Sequence, residues 1–250
     1  HEAVRSITDS LGQFSPHLLF GVTGSGKTEV YLEAARAAAA RGGQTLVLVP
    51  EIGLTPQLVD RFRQRLGLPM ALLHSGLPDR QRLAAWRDTR SGAAAVILGT
   101  RSAIFAPLSN LALIVVDEEH DASFKQQDGF RYSARDLAVL RGRRSNAPVV
   151  LGSATPSLES IYNVREGRYT QLELPHRPGS AVAPPIRTVD LKHHAATNGL
   201  STPLVFAMKQ HLDRGNQVLL YLNRRGYAPA LFCGGCGWIA ACRRCEMSST

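Results

Sequence analysis

The chain has 250 residues, 44% of them hydrophobic and 20% charged, with a formal charge of +9 at pH 7. That composition supports one large core or two smaller ones and excludes a disordered or low-complexity chain, while no apolar run approaches the ~20 residues a bilayer-crossing helix needs. Only four of the 29 basic residues are lysines (Lys27, Lys125, Lys192 and Lys209); the charge is mostly guanidinium, whose planar fork suits phosphate partners.

The start, HEAVRSITDS, has neither an initiator Met nor the n-region and h-region of a secretory signal, so the chain reads as a piece of a longer cytoplasmic protein. Up to residue 175 short apolar runs alternate with helix-like segments, the pattern of a parallel sheet wrapped by helices. Strands are predicted over 18–21, 45–49, 71–74, 95–98, 111–116 and 149–151, and helices over 27–41, 56–66, 80–90, 134–143 and 157–165. The strands are continuously apolar, as expected where both faces are covered. Polar loop residues collect at their C-terminal ends, where open α/β sheets bind ligands.

The stretch PHRPGSAVAPP holds four prolines and no periodicity, a linker signature. It divides a first domain, 1–175, from a second that begins after a linker at 176–198. In the second, LSTPLVFAMKQHLDRG reads as a helix capped by Ser201 or Thr202, and QVLLYLNRRGYAPALF as a strand, a basic turn and a further extended piece. The second domain is expected to run over 199–232, with a cysteine-rich segment at 233–250.

The motifs follow the same order. LLFGVTGSGKTEVYL is a strand, a glycine-rich turn and a helix start, and Gly21, Gly26, Lys27 and Thr28 satisfy G-x-x-x-x-G-K-[ST]. In that pattern the backbone N–H groups of Gly21, Thr23, Gly24, Ser25 and Gly26 cradle phosphates at a helix N-terminus. Lys27 reaches the β/γ-phosphates and Thr28 offers a hydroxyl to Mg²⁺. ATP with Mg²⁺ is the ligand this predicts. Farther on, PEIGLTPQ puts Thr55 and Gln57 at a helix start, where free N–H groups suit a backbone phosphate. LGTRSAIF ends a strand on Thr100, Arg101 and Ser102, three phosphate-binding residue types together.

LALIVVDEEH is a buried strand that ends in four titratable groups. A P-loop protein needs a second acidic site at a neighbouring strand end, where Asp117 would hold Mg²⁺ and Glu118 would orient or deprotonate the attacking water. Directly after it, Phe124, Lys125, Phe130, Arg131 and Tyr132 combine rings for base stacking with cations for a nucleic-acid backbone. The alternative for each ring is packing inward on the sheet. Cys233, Cys236, Cys242 and Cys245 form two Cys-x-x-Cys pairs, which without a secretory signal read as a Zn²⁺ site before disulfides. Their five-residue separation is short for two knuckles closing on one ion, so one complete site and two half-sites both stay open.

Taken together, GVTGSGKTEVYL, LVPEIGLTPQ, GTRSAIFAPL, DEEHDASFKQQDGFRYSARDLAV, VVLGSATPSLES and LNRRGYAP resemble, in order, the superfamily 2 DExH helicases of bacterial replication restart, the primosomal protein N′ (PriA) family. The resemblance implies a RecA-like P-loop lobe followed by the start of a second RecA-like lobe carrying a zinc-binding insertion. It implies a catalytic set of Lys27, Asp117, Glu118 and His120, strand-gripping motifs at Thr55/Gln57 and Thr100–Ser102, and a coupling motif at Ser153 and Thr155. Asn223 and Arg224 match the entry of the second lobe. It further implies an aromatic loop that couples DNA binding to ATP hydrolysis, and 3′→5′ unwinding at stalled forks. Implied partners are single-stranded and forked DNA, single-stranded-DNA-binding protein and other primosome proteins. The family's downstream cysteines and arginine finger have no match here, so hydrolysis by this chain alone is expected to be weak or absent. Two rivals accompany this reading: a translocase on duplex that separates no strands, and a zinc-containing DNA-binding platform switched by ATP.

Overall fold

The computed structural model describes residues 2–175, 185–194, 196–197 and 199–221, in two compact units, His1–Ala181 and Val182–Thr250. In the first unit the elements run α1 (Glu2–Asp9), β1 (Pro16–Gly21), α2 (Lys27–Ala40), β2 (Gln44–Leu48), α3 (Pro56–Leu66), β3 (Met70–Leu73), α4 (Asp79–Ser91) and β4 (Val96–Gly99). They continue with β5 (Leu111–Asp117), the short strands β6 (Lys125–Gln126) and β7 (Tyr132–Ser133), α5 (Ala134–Arg144), β8 (Val149–Ser153), α6 (Leu158–Arg165) and β9 (Thr170–Leu174). Seven strands form one sheet in the order β3-β4-β2-β5-β8-β1-β9, and every neighbouring pair in it is parallel. β6 and β7 pair as a separate antiparallel ribbon.

Successive strand residues face opposite sides, which divides the core in two. Leu19, Val47, Leu98, Val115 and Val150 join the buried faces of α1, α2 and α3 on one side. Leu18, Leu46, Ile97, Ile114, Val116 and Leu151 pack with Ala134 and Ala138 of α5 and with Phe124 on the other. Parallel strands buried on both faces need apolar residues at every position, which is why their sequences showed no alternation. The helices start where local chemistry dictates. Thr55 Oγ1 accepts from Leu58 N at 3.3 Å with Pro56 in the first turn, and Gly67 closes α3 in the left-handed region. Ser133 and Ser157 cap α5 and α6 in the same way, each satisfying a helix-end donor that would otherwise be unpaired.

The predicted strands and helices of the first unit are all present, with ends shifted by a residue or two. Besides the short ribbon strands β6 and β7, two further elements were not expected. α1 is short but amphipathic and packs Ala3 and Ile7 against the core, and β9, with one buried residue in its TQLEL run, pairs with β1. In the second unit β10 (Ala196–Thr197) and β11 (Leu200–Ser201) make a small antiparallel pair ahead of α7 (Thr202–Asp213). The strand expected from residue 217 is absent from the described residues up to Tyr221, where the backbone carries no regular structure.

His17 in β1 is 2% exposed, with Nε2 3.1 Å from Ser10 Oγ and Nδ1 without a hydrogen-bond partner among the described residues. Burial lowers its pKa from 6.5 to about 4. The folded state therefore keeps His17 neutral while the unfolded chain takes up a proton below pH 6.5. The histidine costs nothing at pH 7 and removes stability as pH falls from 6.5 toward 4, by about 3 kcal/mol at the lower end. Thermal melts at pH 7.5 and pH ~5 should show a larger drop for the wild-type chain than for His17→Gln; equal drops would refute the assignment.

Candidate active site

β1, β8 and β5 are adjacent in the sheet, and their C-terminal ends carry residues 21–28, 152–155 and 117–120. The glycine-rich turn after β1 needs its glycines for two reasons. Gly24 and Gly26 have φ of +80° and +96°, which L side chains rarely adopt. At Gly21 the limit is space, because a Cβ would lie 2.5 Å from Ser25 Oγ. With Gly26 as its cap, α2 begins at Lys27, so its free N–H groups and positive dipole end open onto the turn. Ser25 Oγ is buried there without a hydrogen-bond partner among the described residues. Lys27, 7% exposed, donates from Nζ to the Gly21 carbonyl at 2.8 Å.

From β5 comes the acidic group. Lys27 Nζ lies 3.9 Å from Glu118 Oε1, and His120 Nδ1 lies 3.6 Å from Glu118 Oε2 and 2.7 Å from Ser153 Oγ. Ser153 Oγ also accepts from Thr155 N at 2.9 Å, while Thr155 Oγ1 is 3.4 Å from His120 Nε2. The predicted residues of three separate loops thus join in one polar chain, Lys27–Glu118–His120–Ser153–Thr155. Glu118 itself has φ +48°, an uncommon conformation for a residue with a side chain.

Asp117 receives a hydrogen bond from Tyr31 Oη at 2.9 Å. Burial pushes the Asp117 carboxyl above its ordinary value and Glu118 adds to that, whereas the Tyr31 hydrogen bond and Lys27 pull it back. This donor set fits a nucleotide phosphate with a divalent cation. N–H groups at the start of α2, the Lys27 ammonium and the unpartnered Ser25 hydroxyl suit the phosphate, and Thr28 and Asp117 suit the metal.

Sequence reasoning passed over three residues here. Glu119, 1% exposed, points away from the chain of catalytic candidates. Its carboxylate accepts from Ser157 N at 2.7 Å, Ser157 Oγ at 3.0 Å and Ser160 Oγ at 2.9 Å, and lies 3.3 Å from Arg135 Nη1. Arg135 donates in addition to Ser157 Oγ and, through Nε, to Asp136. Tyr31 is the third. Two serines three residues apart, with the nearer one 22 residues beyond an arginine at a helix start, give no recognisable pattern, so only the fold reveals this cluster.

The loop beyond β5 departs from expectation in several places. Phe124 is 2% exposed and belongs to the core, so its ring is not available to stack on a base. A 3-10 turn at Ala122–Phe124, capped by Asp121, turns it inward. Thr100 is 3% exposed and has no surface to offer. Arg101 is committed to the loop, donating from Nη1 to the carbonyls of Ser123 at 2.9 Å and Lys125 at 3.1 Å. Thr55 spends its hydroxyl as a helix cap. Gln57, Ser102, Lys125 and Arg131 are exposed, and Phe130 is 77% exposed. Tyr132 stands between Phe130 (5.9 Å between ring centroids) and Phe105 (5.0 Å, edge-on). Phe105 is an exposed ring the sequence did not single out. Lys125, Gln127, Asp128, Arg131 and Tyr132 line a groove of about 710 Å³ beside these rings.

Asn223, Arg224, Cys233, Cys236, Cys242 and Cys245 lie outside the described residues. Among the described residues no group of three or more His, Cys, Asp and Glu side chains could hold a metal, and no helix is long and apolar enough to cross a membrane.

The pattern that defines DEAD/DEAH box helicases matches residues 5–164. Over 237 residues the chain is 55% identical to the replication restart protein PriA of Haemophilus influenzae, a match covering 95% of this chain and 32% of that protein. It is 41% identical over 252 residues to the protein of the same name from Bacillus subtilis, covering 100% of this chain and 31% of the relative. The chain thus spans about a third of the length of these relatives. Among solved structures, RecG bound to a three-way DNA junction shares the fold, with a TM-score of 0.51, 22% identity, and coverage of 72% of this chain and 24% of that one. The seven-stranded parallel sheet is that of a RecA-like helicase lobe.

Proposed function

Because the chain belongs to the DEAD/DEAH box helicase family, we propose that it is the ATP-binding motor lobe of a 3′→5′ DNA helicase that acts in replication restart. The observation that carries this reading is the approach of Lys27 to Glu118, 3.9 Å apart, at the ends of β1 and β5 with Asp117 and His120 beside them. Lys27 and the N–H groups of the glycine-rich turn neutralise and orient the terminal phosphates. Thr28 and Asp117 would hold the cation, which when bound would draw negative charge from the phosphate oxygens. Glu118 takes the proton of the attacking water or aligns it. His120, bonded to Ser153, ties the catalytic glutamate to the strand end that leads into α6.

DNA binds in this reading at the exposed aromatic loop. Phe130 and Tyr132 supply stacking surfaces, Lys125 and Arg131 the backbone charge, and Arg101 holds the loop against the end of β4. Substrates are single-stranded and forked DNA, with single-stranded-DNA-binding protein and primosome components as partners. That assignment rests on similarity to relatives named for replication restart. The two Cys-x-x-Cys pairs are proposed as zinc ligands, a point that metal analysis of the purified chain, before and after their replacement by serine, would decide.

The deciding experiment measures ATP hydrolysis with and without single-stranded DNA, alongside strand displacement on forked duplex, in this chain and in the Haemophilus influenzae relative. DNA-stimulated hydrolysis with strand separation is the expected result for the relative. Hydrolysis without displacement would leave a duplex translocase, and ATP binding without turnover on any DNA would leave an ATP-switched platform. Within the loop, Phe130→Ala should weaken single-stranded DNA binding by about 1–3 kcal/mol while leaving the melting temperature unchanged. Phe124→Ala should instead cost about 3–5 kcal/mol of stability, because its ring is core. Anisotropy with a labelled oligonucleotide and thermal melts separate the two; equal losses of binding at constant stability would contradict the placement of Phe124.

A further inference from the structure

Tyr31 lies one helical turn beyond Lys27 on α2, so the two side chains leave the helix on the same face. Its ring is 1% exposed, enclosed in the core on the α2 side of the sheet. The hydroxyl emerges at the end of β5, donating to Asp117 Oδ1 at 2.9 Å. The neighbouring strand is shaped around it. Asp117 pairs with Gly152 in the β5–β8 register, and a Cβ on Gly152 would fall 1.7 Å from Tyr31 Oη and 2.8 Å from Cζ. A real side chain at 152 would push the phenol out. The hydroxyl therefore occupies a slot bounded by the phosphate-binding helix, the strand of Asp117 and the strand of Ser153.

Neither the aromatic stretch nor the catalytic quartet uses this tyrosine. Core packing alone would be met as well by phenylalanine, and the hydroxyl of a buried tyrosine needs a partner, but here the partner is the carboxylate assigned to the cation. A group that holds one oxygen of a metal-binding carboxylate fixes the rotamer in which the other presents itself. We propose that Tyr31 is a positioning residue for the divalent cation of the nucleotide site, acting through Asp117, with Gly152 making room for it. The proposal rests on the nucleotide-site reading above.

The test is nucleotide binding rather than turnover. A fluorescent ATP analogue is titrated into the chain in EDTA and then at increasing Mg²⁺, for the wild type and for Tyr31→Phe, which retains the ring. In EDTA the two should bind alike. The Mg²⁺ concentration giving half of the metal-dependent gain in affinity should rise about 10-fold or more in the variant, the size of effect seen when a partner of a metal ligand is removed. Mn²⁺ titration followed by electron paramagnetic resonance, in the presence of the same analogue, should show the same shift. A lower melting temperature with superimposable Mg²⁺ and Mn²⁺ curves would mean that the hydroxyl serves packing only, and the proposal would fall. A wild-type chain whose nucleotide affinity ignored Mg²⁺ would overturn the site reading, and this inference with it.

Discussion

Glu118→Gln should bind nucleotide as tightly as the wild type and hydrolyse it about 10²–10⁴ times more slowly, the range associated with loss of a positioned general base. The glutamate side chain is 38% exposed, and among the described residues its close ionic partners are Lys27 and His120, at 3.9 Å and 3.6 Å. Neither distance is a short hydrogen bond whose loss would unsettle the fold. The amide keeps the shape and polarity of the carboxylate but cannot accept a proton, so stability should change by less than about 0.5 kcal/mol. Single-turnover hydrolysis with and without single-stranded DNA, beside nucleotide binding, is the measurement, made in the chain and at the matching glutamate of the Haemophilus influenzae relative. An undiminished rate in the relative would remove Glu118 from the chemistry.

One residue farther on, the expectation reverses. Glu119→Ala should destabilise the chain by about 3–5 kcal/mol, the usual penalty for removing one member of a buried ion pair. The Glu119 side chain is fully shielded and receives three hydrogen bonds from the first turn of α6, with the largely buried Arg135 guanidinium against it. Truncation takes the acceptor from the Ser157 N–H and from the hydroxyls of Ser157 and Ser160, and leaves the guanidinium with only its more exposed carboxylate partners Asp136 and Glu159. A fall in melting temperature of roughly 10 °C or more is expected for a domain of this size; a change under about 2 °C would show that the cluster contributes little. Measuring hydrolysis and melting on both variants separates two adjacent glutamates that the sequence presents as one acidic run.

The acidic run shows what could be read in advance and what could not. Parallel strands covered on both faces and a P-loop are written in local patterns, a run of apolar residues or a fixed spacing of glycines, so β1 to β5 and β8, the turn at 21–28 and the placing of Asp117, Glu118 and His120 at a strand end near that turn were legible. Whether a polar residue at a strand end faces the catalytic groups or an adjacent helix depends on backbone direction after the strand. The left-handed turn at Glu118 sends Glu119 to α6 and returns His120 to Ser153. The expectation for Phe124 failed for the same reason: Phe124 and Phe130 are equivalent in sequence, but the short turn capped by Asp121 buries one and leaves the other in solvent. β9 escaped because an edge strand with a single buried residue has no apolar run to announce it.

The position of β1 in the sheet has a consequence for how the protein comes into being. It is the first strand of the seven-stranded sheet in chain order, yet its two neighbours, β8 and β9, are the last of that sheet, beginning at Val149 and Thr170. β2 to β5 can pair with one another as they are made, over modest loop lengths. The glycine-rich turn, by contrast, has no strand to rest on until more than 120 further residues have been synthesised. At translation rates of about 5–20 residues per second, that leaves β1 an unpaired apolar segment for several seconds. A nucleotide site at the end of β1 is therefore complete only once β8 is in place beside it, so in this topology nucleotide binding reports that the centre of the sheet has formed.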